Sequence, residues 1–244
     1  MNSKELESKL FESLRSLVPP GRLIYWKVWG SHSHDTALPT SDVDFCGVYV
    51  ADPYAILGLS TEHPPDTIAQ TKPDYQLHEV TKFCDLLMKG NPGIIEMLYT
   101  DKLEYSTPEW ETIKAERKRF LSKQVVTQYL GYARGQLHKL DLGQSLHTKG
   151  GKFSEKWAYH AYRLMLDCNK ILDGLWPMVW KDGGERDVLM AVRTGLLEPA
   201  FIVEQIKNLM RGAEDKLKTT DLPEHGDYDY LSKWLRGVRQ ESLT

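Results

Sequence analysis

Two aspartates one residue apart, Asp42 and Asp44, stand where an apolar and β-branched run begins. Read as a strand, residues 42–50 (Asp-Val-Asp-Phe-Cys-Gly-Val-Tyr-Val) put alternate side chains on one face, so the two carboxylates would project together. Like charges so placed repel one another until solvent or a cation neutralises them, which suits the pair to one or two divalent metal ions. An Asp-x-Asp alone is a weak signal, because an exposed strand end with incidental acids has the same sequence. Gly30-Ser31 strengthens it, with Ser31 eleven residues before Asp42 and at the end of the β-branched and aromatic run Leu23–Trp29. A glycine lets backbone approach a phosphate, and exposed N–H groups and the Ser31 hydroxyl can donate to its oxygens. Phosphate donors facing metal-holding acids are the parts that a nucleoside triphosphate bound with Mg²⁺ requires. In-line displacement at its α-phosphorus is then mostly positioning and charge stabilisation.

The same segment holds His32 and His34, a spacing familiar from metal ligands at strand ends. The metallo-β-lactamase arrangement asks for an Asp two residues beyond the second His, where this chain has Thr36. A metal-dependent amidohydrolase asks for a longer barrel than 244 residues with a helical back half supply. The two histidines are better read as loop residues near a nucleotide.

The elements that position these residues follow from periodicity. Leu6, Leu10, Phe11, Leu14 and Leu17 predict a helix over 3–17, ended by Pro19-Pro20-Gly21. Residues 23–29 and 42–50 read as strands, 51–73 as a surface loop with prolines at 53, 64, 65 and 73, and 74–78 as a weak strand. A helix starts at Glu79 and breaks at Gly90-Asn91-Pro92-Gly93. Past about residue 115 the strand signal fades, and 121–140, 153–173, 186–194, 199–217 and 227–240 carry helical periodicity. The expectation is an α+β chain: a mixed-sheet domain over 1–115 with flanking helices, then an all-helical domain over 116–244.

Charge is segregated behind a net value of −3. Residues 1–113 carry −8, residues 114–163 carry +8, and residues 164–244 carry −3. Within the basic stretch Lys149, Lys152, Lys156, His160 and Arg163 recur at spacings of three to four and can share one helix face. Such a face, opposite the acids, would grip triphosphate oxygens or an RNA backbone. Trp26, Trp29, Trp157 and Trp176 read as packing residues. Three widely spaced cysteines suit a reducing, cytoplasmic setting, and the leading residues lack the apolar stretch of a secretion signal. No run of about 18 apolar residues predicts a membrane span, so no membrane partner is expected.

Gly30-Ser31, then Ser41-Asp42-Val43-Asp44 followed by Gly47-Val48, resembles the signature of the DNA polymerase beta-like nucleotidyltransferase superfamily, and within it the RNA-repair-pathway polymerase-beta family. Asp74–Phe83, Lys89–Pro92 and Glu96–Leu98 are similar to that family's third-carboxylate strand, helix and Asn-Pro turn. Gly131–Gln136, Lys156–Leu164 and Leu222–Glu224 look like its helical C-terminal motifs, so the likeness spans roughly 22–240. The resemblance implies Asp42, Asp44 and Asp74 as holders of Mg²⁺ or Mn²⁺, with Asp74 as general base; spacing alone does not select Asp74 over Glu79 or Asp85, and Glu79 is the second choice. It implies Gly30, Ser31 and Ser41 at the nucleotide, ATP or another nucleoside triphosphate. It implies transfer of a nucleoside monophosphate to a hydroxyl, first of all an RNA 3′ end, in a tRNA or a repair substrate. Asp35 departs from the pattern, standing where the family usually has a second glycine; an acid there would repel a triphosphate unless it points away or meets a cation. The competing expectation is a non-catalytic nucleotide- or RNA-binding module on the same fold.

Overall fold

The computed structural model describes residues 21–57, 63–72, 74–101, 105–141 and 153–243. The helix expected over 3–17 lies outside them, as do Lys149 and Lys152.

Strand β1 (Gly21–Trp29) runs into the four-residue helix α1 (Gly30–Ser33), and β2 (Asp44–Ala51) returns antiparallel to β1. After the short helix α2 (Pro53–Leu57) come the hairpin strands β3 (Thr67–Thr71) and β4 (Asp74–Glu79). Helices α3 (Val80–Met88) and α4 (Pro92–Leu98), the two-residue strand β5 (Tyr105–Ser106) and α5 (Pro108–Ala115) complete the front half. The back half is α6 (Lys123–Asp141), α7 (Glu155–Leu172), α8 (Gly183–Arg193), α9 (Pro199–Leu217) and α10 (Tyr228–Glu241). The sheet order is β3-β4-β2-β1-β5, with β2 and β4 parallel and the other pairs antiparallel. Mixed sheet followed by helices is the α+β layout that the sequence pattern predicts.

Two expectations are corrected. Residues 51–73 are not one loop, since α2 and β3 lie within them. β3 is an edge strand of half-buried and exposed residues, so it never shows the apolar alternation that marks a strand packed on one face. The other correction concerns Asp42, which precedes β2 instead of lying on it. Pairing with β1 ends at Trp29 opposite Asp44, because the chain turns into α1 at Gly30 and leaves residues 42 and 43 no strand to bond with.

The sheet separates two apolar clusters by the alternation of its strands. Phe45 and Tyr49 of β2 join Leu23, Trp26, Tyr75 and Leu77 on one face. Cys46, Val48 and Val50 face the helices and join a core running through Phe83, Tyr129, Met165 and Trp234. Asp44 shares parity with Cys46, so it emerges at the end of the helix-covered face. That single core ties the back half to the front. Trp234 of α10 donates its Nε1–H to the Glu109 carbonyl at 2.9 Å.

Helix ends are set locally. Glu79 caps α3 by accepting from Thr81 N–H at 2.7 Å, and Asn91 caps α4 by accepting from Ile94 N–H at 3.3 Å, with Pro92 at the first helical position. Between them Gly90 takes a φ of +73°, and a Cβ there would stand 2.9 Å from the Val125 backbone.

Candidate active site

In the parallel pair β2·β4, Asp44 stands directly opposite Asp74. The register extends through Cys46 opposite Gln76 and Val48 opposite His78, so both acids open the same face of the sheet at adjacent strand starts. Asp42 lines the same cavity of about 640 Å³ and is exposed. Burial first, and then the nearby Asp74, push the Asp44 carboxyl above its ordinary range, with Lys156 pulling the other way. Gly30 makes this packing possible. Its φ is +65°, and a Cβ would lie 2.2 Å from Asp44 Oδ2, so both backbone and space demand glycine.

The carboxylates fit a divalent cation. Asp42, Asp44 and Asp74 line one cavity, and the like-charge load on Asp44 is what a cation relieves. Among the described residues no three His, Cys, Asp or Glu side chains form a ready-made cage. Mg²⁺ bound with a nucleotide needs none, since it takes one or two carboxylates, substrate phosphates and water.

Glu79 sits elsewhere. It is buried, caps α3, and pairs with Arg239 of α10 at 2.7 Å, so its work is structural.

Lys156 and Arg163 of α7 and Arg193 of α8 line the same cavity as the acids. The Arg163 guanidinium is buried and bonds Glu96 Oε1 through Nη1 at 2.6 Å, while its Nε has no hydrogen-bond partner among the described residues. Arg163 lines the cavity as a residue, and its charge suits an anionic ligand there. His160 corrects the expected cationic face: burial first, then Arg163, Lys156 and Arg193, pull it down to about 3, so the ring is neutral. It marks the cationic field without adding to it. Arg193 is a site residue that the sequence pattern does not single out. It donates to the Ser41 hydroxyl at 3.0 Å and stacks over the Tyr159 ring at 5.2 Å. Nothing in a surface helix distinguishes one arginine, and its partner Ser41 is remote in sequence. Ser41 also accepts from Leu38 N–H at 2.8 Å, which closes the loop before Asp42, and Ser31 lines the cavity beside Gly30.

Outside that face, much of the basic stretch over 114–163 is used elsewhere. Lys114 pairs with Asp101, Arg119 with Asp227, Lys123 with Glu224 and Arg134 with Glu214. The positive count along the chain overstates the positive charge at the cavity.

The histidines of the turn do not form a metal site. His34 is buried, its Nδ1–H donates to the Val179 carbonyl at 2.8 Å, and burial followed by Arg163 holds it well below its ordinary value. Neutral His34 and buried Glu96, Arg163, Asp167 and Lys181 link the turn to the helices, with Arg163 at 2.6 Å from Glu96 and Lys181 at 2.6 Å from Asp167. Asp35 adopts a φ of 55°, a backbone a glycine would take without strain, and its side chain and carbonyl both accept from Arg186 Nε at 2.9 Å. The acid has met its cation. Of the tryptophans, Trp26 is core, Trp29 lines the cavity, and Trp176 is 50% exposed under Lys118.

The model of the RNA repair pathway DNA polymerase beta family matches residues 4–234. The chain belongs to that family. Members of the RNA repair pathway DNA polymerase beta family are polymerase beta-like nucleotidyltransferases, and the Gly30-Ser31 and Asp42-x-Asp44 signature here occupies one cavity. An uncharacterised 38.9 kDa protein of Enterobacteria phage T4, from the nrdC-mobD intergenic region, is 32% identical over 123 residues. That match covers 46% of this chain and 36% of the phage protein, so the chain aligns with about a third of that relative's length. A solved nucleotidyltransferase-like protein from Exiguobacterium sibiricum aligns over 98% of this chain and 80% of its own, at 14% identity and a TM-score of 0.31. No described helix is long and apolar enough to cross a membrane.

Proposed function

We propose that this protein transfers a nucleoside monophosphate from a nucleoside triphosphate, ATP among them, to a hydroxyl acceptor, with an RNA 3′ end as the first choice. The observation that carries the reading is Asp44 opposite Asp74 on parallel strands, in a cavity that Lys156, Arg163 and Arg193 also line. Asp42, Asp44 and Asp74 would hold Mg²⁺ or Mn²⁺, which when bound supplies charge neutralisation to the triphosphate. Gly30 and Ser31 offer close backbone approach and a hydroxyl to phosphate oxygens. Lys156, Arg163 and Arg193 hold the leaving pyrophosphate. Asp74, exposed at the start of β4, accepts the acceptor's proton as its oxygen attacks the α-phosphorus. The bond from that phosphorus to the β-phosphate oxygen breaks, and pyrophosphate leaves. Lys149 and Lys152 belong to this proposal by sequence alone.

The competing reading, a binding module without catalysis, rests on Asp35 as a repulsive acid in the phosphate turn, and Arg186 removes that ground. The test is label transfer from each α-labelled nucleoside triphosphate to RNA, with Mg²⁺ or Mn²⁺. Asp42→Asn, Asp44→Asn and Asp74→Asn should each abolish transfer; wild-type rates in all three would reject the assignment.

A further inference from the structure

A second cavity, of about 540 Å³, adjoins the first and shares Trp29, Asp44, Asp74 and Gly93 with it. The carboxylate pair therefore stands between two chambers. The second runs along the sheet face from Asp74 past Gln76 to His78, with Thr67 at the β3 edge and α3 and α4 above.

Its chemistry is unlike that of the first. Lys82 is its one lysine or arginine among the described residues, and it lies 3.8 Å from Asp66. His78 shares its Nδ1 with the Thr67 hydroxyl at 3.0 Å, and burial followed by Lys82 lowers its pKa, which favours the neutral ring. A polyphosphate or a run of RNA backbone would find few counter-charges here. Trp29, Leu86, Ile94 and Met97 supply aromatic and aliphatic wall, and the Gln76 side chain is exposed with no hydrogen-bond partner among the described residues. An apolar wall with an aromatic ring, beside a carboxamide with free donor and acceptor, is what recognises a heterocyclic base by stacking and edge hydrogen bonds. The volume is in the ordinary range for a small-molecule site.

We infer that this groove is the acceptor site and that its occupant is a nucleoside, either free or as the terminal residue of an RNA, with its hydroxyl towards Asp74. This rests on the transferase reading above. An acceptor entering here meets the α-phosphorus from the side away from the cationic wall, the geometry in-line displacement requires.

The test uses the full chain and two photoreactive probes, free thiouridine and a short RNA ending in a 3′-terminal thiouridine, with adducts mapped by mass spectrometry. Transfer of α-labelled ATP and binding of ATP with Mg²⁺ are measured on the same samples. Adducts on the β4 peptide around Gln76 are expected. Adducts with both probes identify a nucleoside as sufficient, and adducts with the RNA alone identify the terminal residue of a strand. Gln76→Trp, at an exposed position, should fill the groove and weaken adduct formation and transfer about tenfold, the value of one stacked base, with ATP affinity unchanged. Gln76→Ala should fall between wild type and Gln76→Trp. Adducts confined to the α7 and α8 side, no adducts at all, or a Gln76→Trp variant that labels and transfers like wild type would overturn the inference. Adducts in the groove without label transfer by the wild type would instead reject the transferase reading while leaving a nucleoside site in place.

Discussion

Replacing Gly30 by alanine combines two costs that the same change at Gly174 separates. The residue has a φ of +65°, and a Cβ would meet Asp44 Oδ2 at 2.2 Å. Gly174 has a similar φ of +77°, and a Cβ there would meet nothing within 4 Å. Gly174→Ala therefore reports backbone strain alone, about 1–2 kcal/mol for an L-residue in the left-handed region. For a chain of this size that is a fall of roughly 2–8 °C in Tm. Gly30→Ala carries the same strain and also displaces the Asp44 carboxylate. Misplacing a catalytic group by an ångström costs on the order of a hundredfold in rate. Thermal unfolding and label transfer on both variants make the comparison: Gly174→Ala should lose stability and keep its rate, while Gly30→Ala should lose both. Equal rates in the two variants would refute the claim that Gly30 exists to seat Asp44.

Burial and the neighbouring acids raise the Asp44 pKa in the folded state, so the stability linked to this group is full below the unfolded carboxyl value and is lost as pH rises through the folded one. Asp44→Asn should therefore raise the Tm of the metal-free protein at neutral pH and lose that gain below about pH 4, as a melting series against pH will show. Asp35→Gly relieves the left-handed strain that Asp35 carries at a φ of 55° but loses the 2.9 Å contact to Arg186, whereas Asp35→Ala keeps the strain and loses the contact, so the alanine variant should be less stable than the glycine variant by about 1–2 kcal/mol in chemical denaturation. Lys181→Met leaves Asp167 buried without its 2.6 Å partner, and a loss of about 3–5 kcal/mol is expected. Lys181→Met with Asp167→Leu should recover most of it. His160, held near 3, should contribute no inflection to nucleotide binding between pH 5 and 8, measured by titration calorimetry.

How much of this is legible in the sequence depends on how local the cause is. The strand into Gly30-Ser31 and the helices of the back half follow from periodicity and turn residues, and they are where the pattern puts them. The Asp42-x-Asp44 signal lies in residue type and spacing, although Asp42 owes its place to a loop closed by Ser41 instead of to strand alternation. Asp74 comes only with the family resemblance, because its position opposite Asp44 is a matter of strand register that the local sequence does not encode. β3 hides between prolines at 64, 65 and 73, with no apolar face to announce it. Arg186 and Arg193 are invisible for the same reason as Asp74: their partners, Asp35 and Ser41, are brought to them by the packing of α8 on the turn. Counting charge along the chain fails where Asp101, Glu214, Glu224 and Asp227 arrive from other segments to neutralise the basic stretch.

The central claim is displacement at the α-phosphorus, and the fate of two labels tests it most directly. ATP labelled at the α-phosphate or at the γ-phosphate is incubated with the protein, Mg²⁺ and RNA, and the products are separated. The structure predicts α-label joined to the acceptor and γ-label released as pyrophosphate, both absent with Asp44→Asn. Gamma-label on the acceptor, or neither product from the wild-type protein, would contradict it.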